Sequence, residues 1–376
     1  MKLLKLFRFS QIYGLKRALI KALGRLRVGS LNLYVISPTL LLFGKNRKDV
    51  AVIGCGQFSY STISYFLVKN RGACIKACFD VDLDNMNSFS KAYNAEAVMT
   101  IDEILSDPEV EYIYITSNHF SHTSYAVKAL KSNKIVYIEK PISVNWEQFK
   151  ELISLIPNYQ HMISVGYNRP HSPAIRKYIA ETEALSYSPL TFSAFVIGHV
   201  IPSEHWYRNS KEGTRICGNV GHWLDLFIHI LAPKLDKVDW FNFQITYSNQ
   251  ESYDDDISIS ITTACGDLGI ITITSRAEPF EGINEVINIQ CKDNFLKIDD
   301  FREMTFYKSH QKIKKKFWHK NVGHEDAIMQ PFDLVRKRNP LEWLISTYIM
   351  LTITDAVKEQ RSSGKITMKE MERIFK

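Results

Sequence analysis

The chain has 376 residues, 45% apolar and 23% charged, which exceeds one ordinary core and fits a globular protein of two domains plus an extension. Its net charge of +7 is local: residues 1–48 hold eleven Lys or Arg and no Asp or Glu, leaving 36 basic against 40 acidic side chains elsewhere. The mildly acidic body argues against a nucleic-acid-binding face, and no stretch reaches the roughly eighteen continuous apolar residues a membrane span needs.

Within residues 1–48, Leu15, Leu19, Ala22, Leu23 and Leu26 recur at helical spacing, with Lys16, Arg17, Lys21 and Arg25 on the other face. Such a basic amphipathic helix either lies on an anionic membrane surface or docks on its own body or a partner subunit. A transit peptide shares the composition, whereas a secretory signal is not expected, because no small-residue cleavage site follows an apolar core. The apolar run 31–43 is interrupted by Pro38. The extension is expected to matter for location and little for chemistry, in a cytoplasmic protein with peripheral contact to the inner membrane face. Cys55, Cys74, Cys78, Cys217, Cys265 and Cys291 are scattered without Cys-x-x-Cys spacing and read as free thiols in a reducing compartment.

From Asp49 strands and helices alternate. Strands are predicted at Val50–Gly54, Cys74–Phe79, Glu111–Thr116, Ile135–Ile138 and His161–Val165. Helices fall between them at Ser61–Lys69, Ile101–Leu105, Ser121–Lys131 and Trp146–Ile156. That alternation implies a parallel, doubly wound sheet over residues 49–170. After Pro173 the style changes: a helix at Ala174–Thr182, a strand at Thr191–His199 and a helix at Val220–Leu231 precede strands at Val238–Tyr247, Ile257–Thr263, Leu268–Arg276, Glu285–Cys291 and Phe295–Ile298. Leu341–Glu359 reads as a final amphipathic helix. The fold class is α/β, a Rossmann-type sheet followed over residues 171–376 by an α+β domain with a large, mostly antiparallel open sheet.

The first strand runs into Gly54-Cys55-Gly56-Gln57-Phe58-Ser59, a Gly-x-Gly-x-x-small turn of the kind that opens a dinucleotide site. Gly54 permits the tight turn, Gly56 lets the backbone approach a pyrophosphate, and Ser59 takes the packing position. Asp80, at the end of the second strand, suits the two ribose hydroxyls; with no Arg beside it in sequence, it favours NAD over NADP. Thr116-Ser117-Asn118 leads through His119-Phe120-Ser121 to His122 and opens a helix on the cofactor side, with Ser121 a candidate cap. Glu139-Lys140-Pro141 closes a buried strand and delivers a lysine into the same crevice.

Gly54-x-Gly56, Asp80, Asn118 with His122, Glu139-Lys140-Pro141 and Gly166-Tyr167-Asn168-Arg169 occur in the order and spacing of one oxidoreductase family. From about residue 49 to 370 the chain resembles the glucose–fructose oxidoreductase, inositol dehydrogenase and MocA (Gfo/Idh/MocA) family. The resemblance implies bound NAD(H) or NADP(H), a sugar or cyclitol substrate, and dimers or tetramers formed through the open sheet. It assigns Asn168 and Arg169 to the cofactor site and identifies His222, in Gly218-Asn219-Val220-Gly221-His222-Trp223-Leu224-Asp225, as the acid/base histidine. His222, Asp225 and His229 share a helical face, a pattern that also suits a metal; the resemblance implies none. Many catalytic relatives carry an acid four positions before the histidine, where this chain has Gly218, and Asn219 is the nearest polar substitute. His205, Trp206, Arg208, Asn219 and Asp225 are the substrate candidates, and Lys140 and His222 the catalytic pair. Gly-Tyr-Asn-Arg, followed by His-Trp and Gly-x-Arg-Ile-x-Gly, resembles the branch associated with bacterial surface-polysaccharide assembly, whose substrates include sugar nucleotides. The competing expectation is a non-catalytic nucleotide-binding sensor or scaffold on the same fold.

Overall fold

The computed structural model describes residues 2–28, 35–36, 47–182, 185, 187–248, 254–279 and 281–375; most of the apolar run 31–43 lies outside them. The chain divides into two compact units. One comprises Met1–Ser143, Glu147–Gly166 and His324–Arg338, the other Val144–Trp146, Tyr167–Gly323 and Asn339–Lys376.

The first unit is built on six parallel strands, β1 (Val50–Ile53), β2 (Ile75–Phe79), β3 (Glu96–Ala97), β4 (Tyr112–Ile115), β5 (Ile135–Ile138) and β6 (Ile163–Val165), in the order β3-β2-β1-β4-β5-β6. All four residues of β1 are buried, as expected of a central parallel strand covered on both faces. The order reverses between β1 and β4, so a crevice opens beyond their carboxyl ends. Among the described strands of this unit only β3, two residues long, escapes the sequence reading, as does the helix Leu83–Tyr93 that follows β2.

The extension forms two helices, α1 (Lys2–Tyr13) and α2 (Leu15–Leu26), and α2 docks on the first unit. It packs on the π-helical turn Ser59–Ile63 that leads into α3 (Ser64–Arg71). Gly24 has no room for a side chain, since a Cβ there would lie 2.7 Å from Tyr60 Cδ1. The inward face is not the leucine stripe. Ala18, Ile20 and Gly24 are buried, and the Arg17 guanidinium stacks 4.8 Å from the Phe66 ring, while Leu15, Leu19 and Leu26 stay 77%, 43% and 72% exposed. Arg17 and Lys21 turn inward because aromatic rings accept them, Lys21 Nζ lying 3.9 Å from the Phe9 centroid, whereas Lys16 and Arg25 stay exposed. Burial, with Arg25 and Arg17 nearby, pulls Lys21 down to about 8.

A further addition to the first unit comes from far along the chain. Tyr114 Oη donates to the Ile328 carbonyl (2.6 Å) and Gln330 Nε2 to that of Val165 (2.9 Å), while Phe332 packs on Tyr112 with the Arg71 guanidinium 4.0 Å from its ring.

The second unit carries nine strands: β7 (Leu190–Ile197), β8 (Trp240–Tyr247), β9 (Ile257–Thr263), β10 (Leu268–Thr274), β11 (Asn284–Cys291), β12 (Asn294–Asp299), β13 (Glu303–Lys308), β14 (Gln311–Lys316) and β15 (Ser363–Thr367). Their order is β14-β13-β12-β11-β7-β10-β9-β8-β15, antiparallel throughout except for β7 beside β10. β13 to β15 are absent from the sequence reading; the lysine-rich edge strand β14 has no apolar alternation to reveal it. The helix read as amphipathic and final spans Pro340–Lys358 and is buried on nearly every side. It is followed by β15 and a last helix, Met368–Phe375.

Candidate functional site

Gly54 adopts φ +93°, and a Cβ on it would lie 2.4 Å from the Ser117 nitrogen, so only glycine closes this turn against the loop after β4. Thr116 Oγ1 donates to the Gly54 carbonyl (2.8 Å) and holds the two loops together. A Cβ on Gly56, by contrast, would meet nothing within 4 Å. That open approach to backbone is the shape a pyrophosphate needs, and the helix it precedes presents its first N–H groups there. Ser59 is buried, as its packing position requires. Asp80 lies against the same turn: its Oδ2 accepts the Cys55 N–H at 2.6 Å and its Oδ1 that of Asp82 at 2.9 Å. These residues fit a dinucleotide. The Gln57 side-chain amide reaches back to the Lys21 carbonyl and Ser61, away from the turn. Phe58 is 40% exposed and meets the His324 ring edge-on.

The loop after β4 is held by its own polar groups. Ser121 makes no helix-capping bond through its side chain; its hydroxyl lies 2.6 Å from both Asn118 Oδ1 and Ser117 Oγ. His122 is buried, with Nδ1 2.7 Å from the Pro141 carbonyl and Nε2 3.1 Å from that of Ser117. Burial lowers its pKa to about 4, so the ring is neutral and donates once, most favourably from Nδ1 across the shorter contact. His122, expected at the cofactor site, links the Ser117 loop to the Lys140–Pro141 turn through both ring nitrogens.

That turn carries a cis peptide bond between Lys140 and Pro141. Beneath it the Glu139 carboxylate is buried, accepting from Tyr137 Oη (3.0 Å) and the Lys140 N–H (3.1 Å). Burial pushes Glu139 up to about 7, with Lys140 pulling the other way. Gly166 makes room for it, since a Cβ there would lie 2.8 Å from Glu139 Cδ. Glu139 thus anchors the loop, and Lys140 beside it remains partly exposed.

In the second unit His222 lies in the first turn of the helix Gly221–Leu231, directly after a π-helical turn, Ile216–Val220. Its ring meets those of Tyr167 and Trp223 edge-on at 6.1 and 5.9 Å. Gly218, where the resemblance would lead one to expect an acid, has no room for a side chain: a Cβ there would fall 1.6 Å from the Tyr207 hydroxyl oxygen. Tyr207 Oη donates to Asn219 Oδ1 at 3.1 Å, so a phenol from another segment takes the space of the missing side chain. Tyr207 is the residue that sequence reasoning missed; its only signal was the aromatic run His205-Trp206-Tyr207. His205 and Trp206 are exposed on the turn that carries it.

Four other candidates have polar groups engaged within the fold. Arg169 forks onto buried Glu285 (Nε–Oε2 2.7 Å, Nη2–Oε1 3.0 Å) under the Trp223 ring, whose Nε1 donates to the same carboxylate. Asn168 is buried and donates to the Val322 carbonyl at 2.6 Å. Arg208 is bound through Nη2 to both oxygens of Asp255, at 2.8 and 2.7 Å, so its charge is already matched. Asp225 is fully buried and accepts from Ser346 Oγ at 3.1 Å. His229 Nδ1 lies 2.7 Å from Glu342. Among the described residues no group of three His, Cys, Asp or Glu is placed to hold a metal ion.

Residues 48–167 match the profile of the Gfo/Idh/MocA oxidoreductase family, described as an NAD-binding Rossmann fold. The match makes this stretch, about a third of the chain, similar to the NAD-binding domain of that family. Over 214 residues the chain is 25% identical to an inositol 2-dehydrogenase/D-chiro-inositol 3-dehydrogenase of Lacticaseibacillus casei, a match covering 54% of this chain and 57% of the relative. The chain thus spans little more than half the length of that curated relative. Its fold is similar to that of GenD2 from gentamicin A biosynthesis in complex with NAD, at TM-score 0.69 and 16% identity over 86% of this chain and 97% of that one. It is likewise similar to levoglucosan dehydrogenase in complex with NADH and L-sorbose, at TM-score 0.67 and 14% identity over 84% and 98% of the two chains.

Two outcomes follow from this geometry. Glu139 has a folded-state pKa above its unfolded value, so the native state holds the extra proton and stability falls as pH rises from about 4.5 to about 7. Glu139→Gln should remove that loss, up to ~3 kcal/mol, so thermal melts of the variant and the parent should differ more at pH 8 than at pH 5. Gly218→Ala should destabilise by about 1–3 kcal/mol through overpacking, and the double variant Gly218→Ala/Tyr207→Ala should melt above the single one. A Gly218→Ala protein that melts like the parent would contradict the Tyr207 placement.

Proposed function

We propose that this chain is an NAD-dependent oxidoreductase that moves a hydride between the nicotinamide and a hydroxyl or keto carbon of a sugar or sugar nucleotide. The observation that carries the reading is the open approach above Gly56 with Asp80 against the same turn, in a chain that keeps both Lys140 and His222. Bound NAD supplies the hydride acceptor. Gly54, Gly56 and the backbone of Gln57 and Phe58 would hold its pyrophosphate, Asp80 the adenosine ribose, and Ser117 and Asn118 the nicotinamide half.

In this reading His222 takes the hydroxyl proton as the alcohol is oxidised and returns it in reduction. Lys140 donates a hydrogen bond to the same oxygen and stabilises the negative charge that develops on it. The exposed Trp206 face suits the apolar side of a sugar ring, and Tyr207 with Asn219 orients hydroxyls near His222. Because Tyr207 fills the space at Gly218, the missing acid is no sign of a retired site, and this favours the enzyme over a non-catalytic sensor.

The resemblance of the Gly166–Arg169 and Gly213–Gly218 motifs supports a substrate from surface-polysaccharide assembly, with subunits associating through the open sheet. A peripheral membrane location fits the outer side of α2, where exposed Leu15, Leu19 and Leu26 stand among basic residues in a segment without acids. Among the described residues no helix is long and apolar enough to cross a membrane.

Lys140→Ala and His222→Ala should each lower kcat by about a hundredfold or more while NADH affinity, read by fluorescence titration, stays within about threefold. The double variant should be little worse than the poorer single one, because groups acting as a unit are not additive. Full turnover by His222→Ala across a panel of sugar nucleotides and cyclitols would remove the mechanism. The protein should float with vesicles containing anionic lipid but not with neutral ones, and Leu15→Gln/Leu19→Gln/Leu26→Gln should abolish flotation; equal flotation with both vesicle types would rule out the location.

A further inference from the structure

The Gly54-Cys55-Gly56 turn is held from both sides by opposite charges. On one side the Cys55 N–H donates to Asp80 Oδ2. On the other, the Cys55 carbonyl accepts from Arg27 Nη1 at 2.9 Å, and the same nitrogen lies 3.4 Å from Ser88 Oγ on the helix Leu83–Tyr93 that follows β2. Arg27 belongs to the extension. It ends α2 in the left-handed region, φ 52°, with its N–H turned back to the Gly24 carbonyl, so its side chain leaves the helix end towards the turn. The guanidinium also lies 5.6 Å from the centroid of the Tyr60 ring.

Among the described residues Arg27 makes no ion pair, and its Nε and Nη2 donate to none of them. Elsewhere in the molecule comparable guanidinium groups are matched by carboxylates: Arg71 by Asp49, Arg169 by Glu285, Arg208 and Arg215 by Asp255. A partly exposed guanidinium has two nitrogens to spare here, next to the residue that Asp80 grips. Arginine in this state is suited to a phosphate group. The phosphate that distinguishes NADP from NAD sits on the adenosine ribose, whose hydroxyls Asp80 would otherwise read alone.

We propose that Arg27, delivered by the N-terminal extension, is a specificity-determining residue that admits a 2′-phosphate at the adenosine end of the cofactor site. Resting on the cofactor site proposed above, this means that NADPH is a usable second ligand, with Asp80 favouring NADH and Arg27 offsetting that preference. The sequence offers no hint of it, since Arg27 stands 53 positions before Asp80.

The test is calorimetric titration of the full-length protein with NADH, NADPH, 5′-AMP and 2′,5′-ADP, comparing the parent with Arg27→Ala and Arg27→Gln. Glutamine retains a donor for the Cys55 carbonyl and carries no charge. Both variants should bind NADPH and 2′,5′-ADP at least tenfold more weakly, while NADH and 5′-AMP change by less than threefold in Arg27→Gln. Equal weakening of both ligand pairs in Arg27→Gln would reduce Arg27 to a strut of the turn and overturn the proposal, as would unchanged binding of all four. A parent protein that binds neither NADH nor 5′-AMP would overturn the cofactor site itself, whereas NADH binding with no Arg27 effect would overturn this inference alone.

Discussion

The close approach of Gly54 to the backbone of Ser117 is the contact on which the cofactor edge of the first unit depends. It joins the turn after β1 to the loop after β4 with no side chain between them, and Thr116 completes the joint by donating to the Gly54 carbonyl. From Ser117 the connection continues through the buried His122 ring to the Pro141 carbonyl, and so to the turn that bears Lys140. Gly166 then closes on Glu139 from β6, completing a line of contacts from the phosphate turn to the lysine. An alanine at position 54 would meet two penalties at once, a left-handed φ and an overlap with backbone that cannot move without breaking the β1–β4 register.

The second unit shows where charge goes when it is not used for chemistry. Arg169 with Glu285, Lys234 with Asp267 and Lys320 with Asp300 are pairs in which both side chains are nearly excluded from solvent. A buried ion pair stabilises only when its remaining hydrogen-bonding positions are filled, and here they are. Trp223 Nε1 completes Glu285, Thr263 Oγ1 completes Asp267, and the Ile283 carbonyl receives the second bond from Lys320. Such groups orient loops and strands with little freedom left over. His222 and Asn219, at the start of the helix that bears Trp223, remain partly exposed.

That division explains what could be read from the sequence. Strand and helix alternation revealed the first unit because β1, β4 and β5 are continuous apolar runs and β2 is broken only by Lys76, and the glycine turn and Asp80 lie within 27 residues of each other. The ion pairs of Arg169 and Arg208 were not legible, because their partners, Glu285 and Asp255, stand 116 and 47 residues away, a distance over which local pattern carries no information. The same holds for Tyr207, whose role appears only when it is seen in the space of Gly218. The helical period of α2 was legible but its orientation was not. A period says which residues share a face, whereas the aromatic surface of Tyr65 and Phe66 decides that the side bearing Arg17 turns inward.

Two helices, one in each unit, begin in the same unusual way. Ser59–Ile63, after the glycine turn, and Ile216–Val220, before His222, are π-helical turns, each wider by one residue than an α-helical one. A wide turn leaves room that must be filled from outside the helix, or its lining would lose packing contacts. In the first unit the Tyr60 ring packs edge-on against Tyr93, whose hydroxyl bonds to the Tyr60 carbonyl. In the second, Tyr207 enters over Gly218. The extra residue also shifts the helix face that follows it, so Asn219 and His222 do not stand where a regular 3.6-residue period would place them. A wide helix start filled by a tyrosine from elsewhere is thus common to both units, and at His222 it brings a phenol to a position that the chain's own helix leaves empty.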